Sequence, residues 1–155
     1  MKYIYGLNVS GQSIIKYYDS HNVSLMCWDD SSTIRSFIES NYKKVQLVHP
    51  ESLDYSKISE VFVSPGISFK KSVFAVFNAN NVILSRDLEL YSRLINNQKI
   101  IAVTGTNGKS TTVKLIGDMI NNNGLDCFVG GNLGPPLLDF ANNNILSNYH
   151  VIELS

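Results

Sequence analysis

The run Ala102-Val103-Thr104-Gly105-Thr106-Asn107-Gly108-Lys109-Ser110-Thr111-Thr112 admits few folds. It follows Ile100-Ile101-Ala102-Val103, an apolar stretch that predicts a buried strand. It precedes residues 113–120, whose apolar side chains recur at helical spacing. A strand, a turn holding Gly105 and Gly108, and a helix opening on Lys109 and Ser110 make a cradle for an anion. Backbone N–H groups converge there, and the helix N-terminus adds partial positive charge. The Lys109 side chain is long enough to reach outer phosphates, and the Ser110 hydroxyl can hold a magnesium ion. The general phosphate-loop pattern asks for a glycine where Val103 stands. The alternative, a strand-turn-helix junction that holds Gly-Lys-Ser by chance, leaves the coincidence of the other features unexplained.

Composition narrows the rest. Of 155 residues, 44% are apolar and 17% charged, which is the make-up of a globular chain. The formal net charge is zero, so a nucleic-acid partner is not expected, and phosphate binding has to be local and built from backbone. The two cysteines, Cys27 and Cys127, lie in apolar strand-like contexts and read as buried free thiols of a reducing compartment. No apolar run approaches the ~20 residues that span a bilayer. The opening Met1-Lys2-Tyr3-Ile4-Tyr5-Gly6 is not a signal peptide, so no membrane association and a cytoplasmic location are expected. His21, His49 and His150 share no metal-like spacing.

Strand-like and helix-like segments alternate along the chain. Strands are expected at 3–5, 23–28, 45–48, 61–64 and 82–84, and helices at 10–18, 33–41, 72–78 and 86–95. Residues 96–98 read as a polar joint. A second alternation follows: the phosphate turn and its helix, a strand at 127–129, a short helix through Phe140, and a strand at 149–154. The expected class is α/β. A Rossmann-like parallel-sheet domain occupies 1–96, and the start of a P-loop ATPase-type α/β domain occupies 97–155. So small a second unit, ending as a strand releases an acidic residue, reads as the front of a longer polypeptide.

Candidate site residues fall after strands, where ligands of parallel sheets bind. Gly6-Leu7-Asn8-Val9-Ser10-Gly11 resembles the dinucleotide fingerprint with Asn8 in place of its middle glycine. Asp29 and Asp30 follow the second strand at about the distance where a carboxylate meets a ribose. Ser64-Pro65-Gly66 can turn backbone N–H groups toward a ligand. In Gly130-Gly131-Asn132-Leu133-Gly134, glycines crowd around an amide that can both donate and accept. Glu153 leaves an apolar strand and is a candidate magnesium ligand. Each segment alone also reads as an ordinary turn, a solvated acidic pair or an edge-strand charge.

Taken in order, residues 104–111, residues 130–134 and Glu153-Leu154-Ser155 resemble the Mur ligase family, the ATP-dependent amide-bond ligases of peptidoglycan precursor synthesis. Gly6-Leu7 with Ser10-Gly11, Ser64-Pro65-Gly66-Ile67 and Asp87-Leu88-Glu89-Leu90 resemble the branch that adds D-glutamate to UDP-N-acetylmuramoyl-L-alanine. The resemblance implies that Gly6 to Gly11, Asp29, Asp30 and Ser64 to Gly66 line a site for the UDP part of the substrate. It implies an ATP site at Gly105, Thr106, Asn107, Gly108, Lys109, Ser110 and Thr111, with Lys109 on the phosphates. It implies Mg2+ at Ser110 and Glu153, and Asn132 facing the muramoyl substrate. The partners would be UDP-N-acetylmuramoyl-L-alanine, D-glutamate and ATP, on a monomeric enzyme. The family's carbamylated lysine, metal-binding histidine and C-terminal domain would lie beyond residue 155, leaving this polypeptide alone inactive.

Other readings share some of these motifs. They are a folylpolyglutamate-type ligase of the same superfamily, a non-catalytic nucleotide-binding remnant, and an NAD-dependent oxidoreductase resting on Gly6 to Gly11 alone. A uridine-type first domain argues against the first.

Overall fold

The computed structural model describes residues 1–132 and 134–154. The chain divides into two compact units, Met1–Leu90 and Tyr91–Ser155. Both are α/β with all-parallel sheets.

In the first unit, strands β1 (Lys2–Tyr5), β2 (Leu25–Trp28), β3 (Val45–Leu47), β4 (Glu60–Val63) and β5 (Ile83–Ser85) lie in the order β3-β2-β1-β4-β5. Helices α1 (Val9–Ser20) and α2 (Ser32–Asn41) carry the chain outward from β1 to β3. Two 3-10 turns, Pro50–Ser52 and Tyr55–Lys57, return it to the other side of β1, and α3 (Val73–Ala79) links β4 to β5. Strand alternation assigns the faces. Tyr3, Tyr5, Val61 and Val63 join Phe74 and Phe77 of α3, with Leu53, Ile58 and Val82, in one core. The intervening Ile4, Cys27 and Phe62 are fully buried with Ile14 and Ile15 of α1, and the Tyr18 ring lies 6.0 Å from that of Phe62. Right-handed crossovers demand this arrangement: α1 and α2 share one face and α3 takes the other. Burial inside that sheet pushes the Cys27 thiol up to about 12, so it stays protonated.

Helix α4 (Asp87–Leu94) spans the boundary between the units. The second unit has β6 (Lys99–Val103), α5 (Lys109–Asn122), β7 (Cys127–Gly131), the one-turn α6 (Asp139–Asn142) and β8 (Tyr149–Glu153), in the order β6-β8-β7. β8 is central and almost wholly buried. Gly117 brings α5 onto β7, since a Cβ there would lie 2.4 Å from a Val129 methyl. On the sheet, Phe128, Phe140, Tyr91 and His150 form an aromatic cluster with ring centroids 4.9–6.0 Å apart. The boundary falls before the polar joint at Asn96 because Tyr91 belongs to this cluster, its hydroxyl 2.8 Å from His150 Nδ1.

One expectation is corrected here. β6 is not a buried strand: Ile100 and Ile101 are each 36% exposed. Among the described residues β6 pairs only with β8, and α5 lies chiefly over β7 and β8. Ile101 therefore faces an open groove shared with Ile116, Met119 and Leu125. Cys127 likewise is only half-buried. Among the described residues no helix is long and apolar enough to cross a membrane.

His150 is fully buried, and its Nε2 has no hydrogen-bond partner among the described residues. Burial lowers its proton affinity below the ordinary histidine value. The neutral ring is thus the form that folds. Its contribution is complete above about pH 6.5 and is lost as pH falls below that value. Urea denaturation at pH 7.5 and pH 5 is expected to show lower stability at pH 5. His150→Leu should flatten that dependence, and an unchanged slope would assign it to other groups.

Candidate functional site

The loops that follow the strands gather two clusters, one per unit. In the first, the turn after β1 is built by two glycines. Gly6 has φ of +94°, and a Cβ there would lie 2.6 Å from Ile67 and 2.8 Å from Ser64. A Cβ on Gly11 would sit 2.1 Å from the Gly6 carbonyl oxygen, so only glycine lets the first turn of α1 settle onto the end of β1. The Ser64 hydroxyl donates to that same carbonyl at 2.8 Å, and the Ser64 N–H donates to Tyr5 at 3.0 Å. Asn8 is the N-cap of α1 but makes no side-chain cap, and Val9 beside it is exposed. Leu7 is wholly buried, Ser10 is half-buried, and the space beside Gly66 is open.

The acidic pair after β2 splits into two roles. Asp29 is buried, and its carboxylate accepts from the N–H of Leu7 at 2.7 Å and of Ser31 at 2.9 Å. It ties the β1 turn to the start of α2. Asp30 is exposed instead, and its carboxylate accepts from the Tyr5 hydroxyl at 2.8 Å and from the Lys71 ammonium. The Lys71 hydrogen bond holds Asp30 below the usual carboxylate range, and Asp30 raises Lys71 to about 12. Arg35 donates to the carbonyls of Asp29 and Asp30 at 2.7 and 3.0 Å, with its guanidinium 4.2 Å above the Trp28 ring. Arg86 donates to the carbonyls of Ser64 and Ile67 at 2.8 and 3.0 Å, bracing the turn that contains Pro65. Sequence reasoning missed Tyr5, Arg35, Lys71 and Arg86. None belongs to a motif, and only the pairing of β1 with β2 and β4, and of β4 with β5, brings them to one edge.

In the second unit, the turn after β6 runs through Gly105 at φ +144° and Gly108 at φ +74°, and Gly108 caps α5 without a side-chain hydrogen bond. Both glycines face open space, and Thr106, Asn107 and Thr111 are exposed. The Lys109 ammonium folds back onto the Gly105 carbonyl at 2.7 Å. Behind the turn, Glu153 at the end of β8 is 4% exposed. It accepts from the Ser110 hydroxyl at 2.8 Å and the Asn132 amide at 3.3 Å. Gly131, at φ +110°, permits this meeting, since a Cβ there would lie 2.4 Å from the Glu153 carbonyl oxygen. Two residues from separate segments, Ser110 and Asn132, thus converge on the buried Glu153 carboxylate of a third. Leu133 and Ser155, which complete two of the motifs read in the sequence, lie outside the described residues.

Glu153 and Ser110 offer two oxygen donors of the kind a hard divalent cation takes, while among the described residues no three His, Cys, Asp or Glu side chains gather to hold one. The Glu153 carboxylate is buried against two neutral donors, and among the described residues it forms no ion pair. Magnesium takes such oxygens beside substrate phosphates and water.

No family model matches the chain. Relatives do. It is 36% identical to a UDP-N-acetylmuramoylalanine–D-glutamate ligase of Wolbachia sp. subsp. Brugia malayi, over 98% of this chain and 31% of the relative. It is 31% identical to the enzyme of that name in Rickettsia prowazekii, over 98% of this chain and 33% of the relative. The chain therefore spans about a third of the length of the curated relatives it matches. Among solved structures, a murein peptide ligase of Psychrobacter arcticus aligns with TM-score 0.57 and 17% identity, over 99% of this chain and 37% of that one. The UDP-N-acetylmuramate–alanine ligase of Thermotoga maritima aligns with TM-score 0.54 and 15% identity, over 99% and 36%. Those two structural likenesses establish the fold.

The contact between Gly11 and Gly6 is the tightest test of the first cluster. Gly11→Ala is expected to lower stability by about 1–3 kcal/mol, because the added methyl meets backbone that cannot rotate away. A urea midpoint equal to that of the unchanged protein would refute this packing.

Proposed function

We propose, from the premise that this chain belongs to the Mur ligase family and spans about a third of the length of the relatives it matches, that it serves ATP-dependent addition of D-glutamate to UDP-N-acetylmuramoyl-L-alanine. The observation that carries the reading is the convergence of Ser110, Asn132 and Glu153 beneath an open glycine turn. The first unit takes the uridine nucleotide, and the second begins the ATP-binding part. A cytoplasmic setting goes with such a reaction. The relatives named for D-glutamate addition favour this amino acid over those of other branches.

In the second unit, the N–H groups of Thr106 to Ser110 and the start of α5 surround the phosphates, with Gly105 and Gly108 keeping the backbone free of side chains. Lys109 leaves the Gly105 carbonyl and places its charge on the outer phosphates. Ser110 and Glu153 hold Mg2+, which neutralises charge on the transferring phosphoryl group when bound. A substrate carboxylate oxygen attacks the terminal phosphorus as the bond to the leaving oxygen of ADP breaks, giving an acyl phosphate. The D-glutamate amine then attacks the carbonyl carbon, and phosphate departs. This chain's contribution is position and positive charge. Asn132, held by Glu153, keeps its carbonyl side free for the muramoyl substrate. In the first unit, Gly6, Leu7, Asn8, Val9, Ser10 and Gly11, with Asp29, Asp30, Ser64, Pro65 and Gly66, form the nucleotide edge. Asp29 acts there through the backbone and Asp30 through its exposed carboxylate.

Calorimetric titration tests both halves. A non-hydrolysable ATP analogue with Mg2+ should bind, and Lys109→Met should weaken it about tenfold or more. UDP-N-acetylmuramoyl-L-alanine should bind independently of that change. The 155-residue polypeptide alone should form no amide product. No heat with either ligand at millimolar concentration would overturn the reading, and so would analogue binding that ignores Lys109.

A further inference from the structure

We propose that Asn107 is a site of spontaneous deamidation guarded by bound nucleotide, and that the modification converts the phosphate cradle into a loop that repels anions. The guarding rests on the ATP reading above; the site itself rests on the chain's own hydrogen bonds.

The sequence holds two Asn-Gly bonds, Asn107-Gly108 and Asn123-Gly124, one at each end of α5. Asparagine is thermolabile, most of all before glycine, which leaves the following backbone nitrogen uncrowded. By exposure and glycine geometry the two bonds are equals. All four residues are exposed, both glycines have φ of +74°, and a Cβ on either would meet nothing within 4 Å beyond its chain neighbours. Hydrogen bonding separates them. The Gly124 N–H donates to the Asn121 carbonyl at 3.0 Å, and Asn123 Nδ2 donates to the Met119 carbonyl at 2.7 Å. Nucleophile and target are both tied down there. Among the described residues neither the Asn107 side-chain amide nor the Gly108 N–H is held by a hydrogen bond. The Gly108 carbonyl, by contrast, is anchored, accepting from the Thr112 N–H at 3.0 Å and from its hydroxyl at 2.9 Å.

The reaction begins when the Gly108 nitrogen loses its proton to solvent and attacks Asn107 Cγ. A Cγ–N bond forms, the Cγ–Nδ2 bond breaks, and the amide leaves as ammonia with a proton taken from water. The resulting succinimide then takes up one water. Attack at Cγ breaks its new bond to the Gly108 nitrogen and leaves aspartate. Attack at the Asn107 main-chain carbonyl breaks the original peptide bond and leaves isoaspartate, with an extra methylene in the backbone. Gly108 is the N-cap of α5, so the positive end of the helix favours the nitrogen anion and the oxyanion that follows. The field that draws a phosphate thus also speeds loss of the amide.

Either product puts a carboxylate in the cradle, and isoaspartate also displaces the N–H groups that follow it. A bound phosphate works the other way. It accepts from the N–H groups of the turn, and the Gly108 nitrogen then keeps its proton.

Mass spectrometry of the 155-residue chain aged in mildly alkaline buffer reads amide-to-acid conversion at each bond. Asn107 is expected to convert about tenfold or more faster than Asn123, because hydrogen bonds hold the latter. In denaturing urea the two rates should converge. Asn107→Asp should bind a non-hydrolysable ATP analogue with Mg2+ about tenfold more weakly than the unchanged protein, at an unchanged melting temperature. Saturating analogue should slow conversion at Asn107 about tenfold and leave Asn123 as it was. Equal rates at the two bonds in the folded chain, or a preference that survives in urea, would overturn the site. Analogue affinity untouched by Asn107→Asp would overturn its consequence, and bound analogue that fails to slow the reaction would overturn the guarding. An analogue that gives no calorimetric heat would bring down the ATP reading and the guarding with it, while the ratio of Asn107 to Asn123 would still decide the site.

Discussion

Parallel pairing is the constraint from which the other features follow. When every strand of a sheet points the same way, every turn leaving a strand for a helix emerges at one edge, and helix N-termini gather there. In the first unit that edge collects Gly6 and Leu7 after β1, Asp29 and Asp30 after β2, and Ser64 after β4. In the second it collects the glycine turn after β6, Asn132 after β7 and Glu153 at the end of β8. No motif explains these meetings, but the register does. Val103 of β6 and Gly131 of β7 both stand opposite Glu153, so the segments that follow them open beside one carboxylate.

The buried carboxylates show how the fold divides labour. Asp29 is spent on backbone N–H groups and fixes the geometry of the first edge. Glu153 accepts instead from two neutral side chains, those of Ser110 and Asn132. Burying a charge against neutral donors is costly unless something compensates it. A structural carboxylate such as Glu60 finds that compensation in Lys2 at 2.8 Å and a hydrogen bond from Ser85. Glu153 has no such cation among the described residues, which is the physical reason to assign it a metal in the proposed reaction.

Much of this was legible in the sequence. Alternating apolar strands and amphipathic helices gave the fold class, since periodicity depends on local burial alone. The glycines at 6, 11, 105, 108 and 131 stood out because they sit between a strand and a helix or close on another strand. What periodicity could not supply was coverage. Ile100-Ile101-Ala102-Val103 has the composition of an interior strand, yet whether anything lies over it depends on the sheet's order and on where α5 packs. Tyr91 looked like part of the first unit's last helix, and only its hydrogen bond to His150 reveals its allegiance. Lys71 and Arg86 were invisible for the same reason. Their partners are 41 and 22 residues away, and no local pattern encodes such pairings.

The proposed function requires two anion sites with separate ligands, one on each sheet edge. Amide chemical-shift mapping of the labelled chain measures this directly. With Mg2+ and a non-hydrolysable ATP analogue, shifts should concentrate at residues 105–111 and at Asn132 and Glu153. With UDP they should concentrate at residues 6–11, Asp30 and Gly66. Both ligands shifting one common set of residues, or an ATP analogue that leaves the turn before Lys109 unmoved, would contradict it.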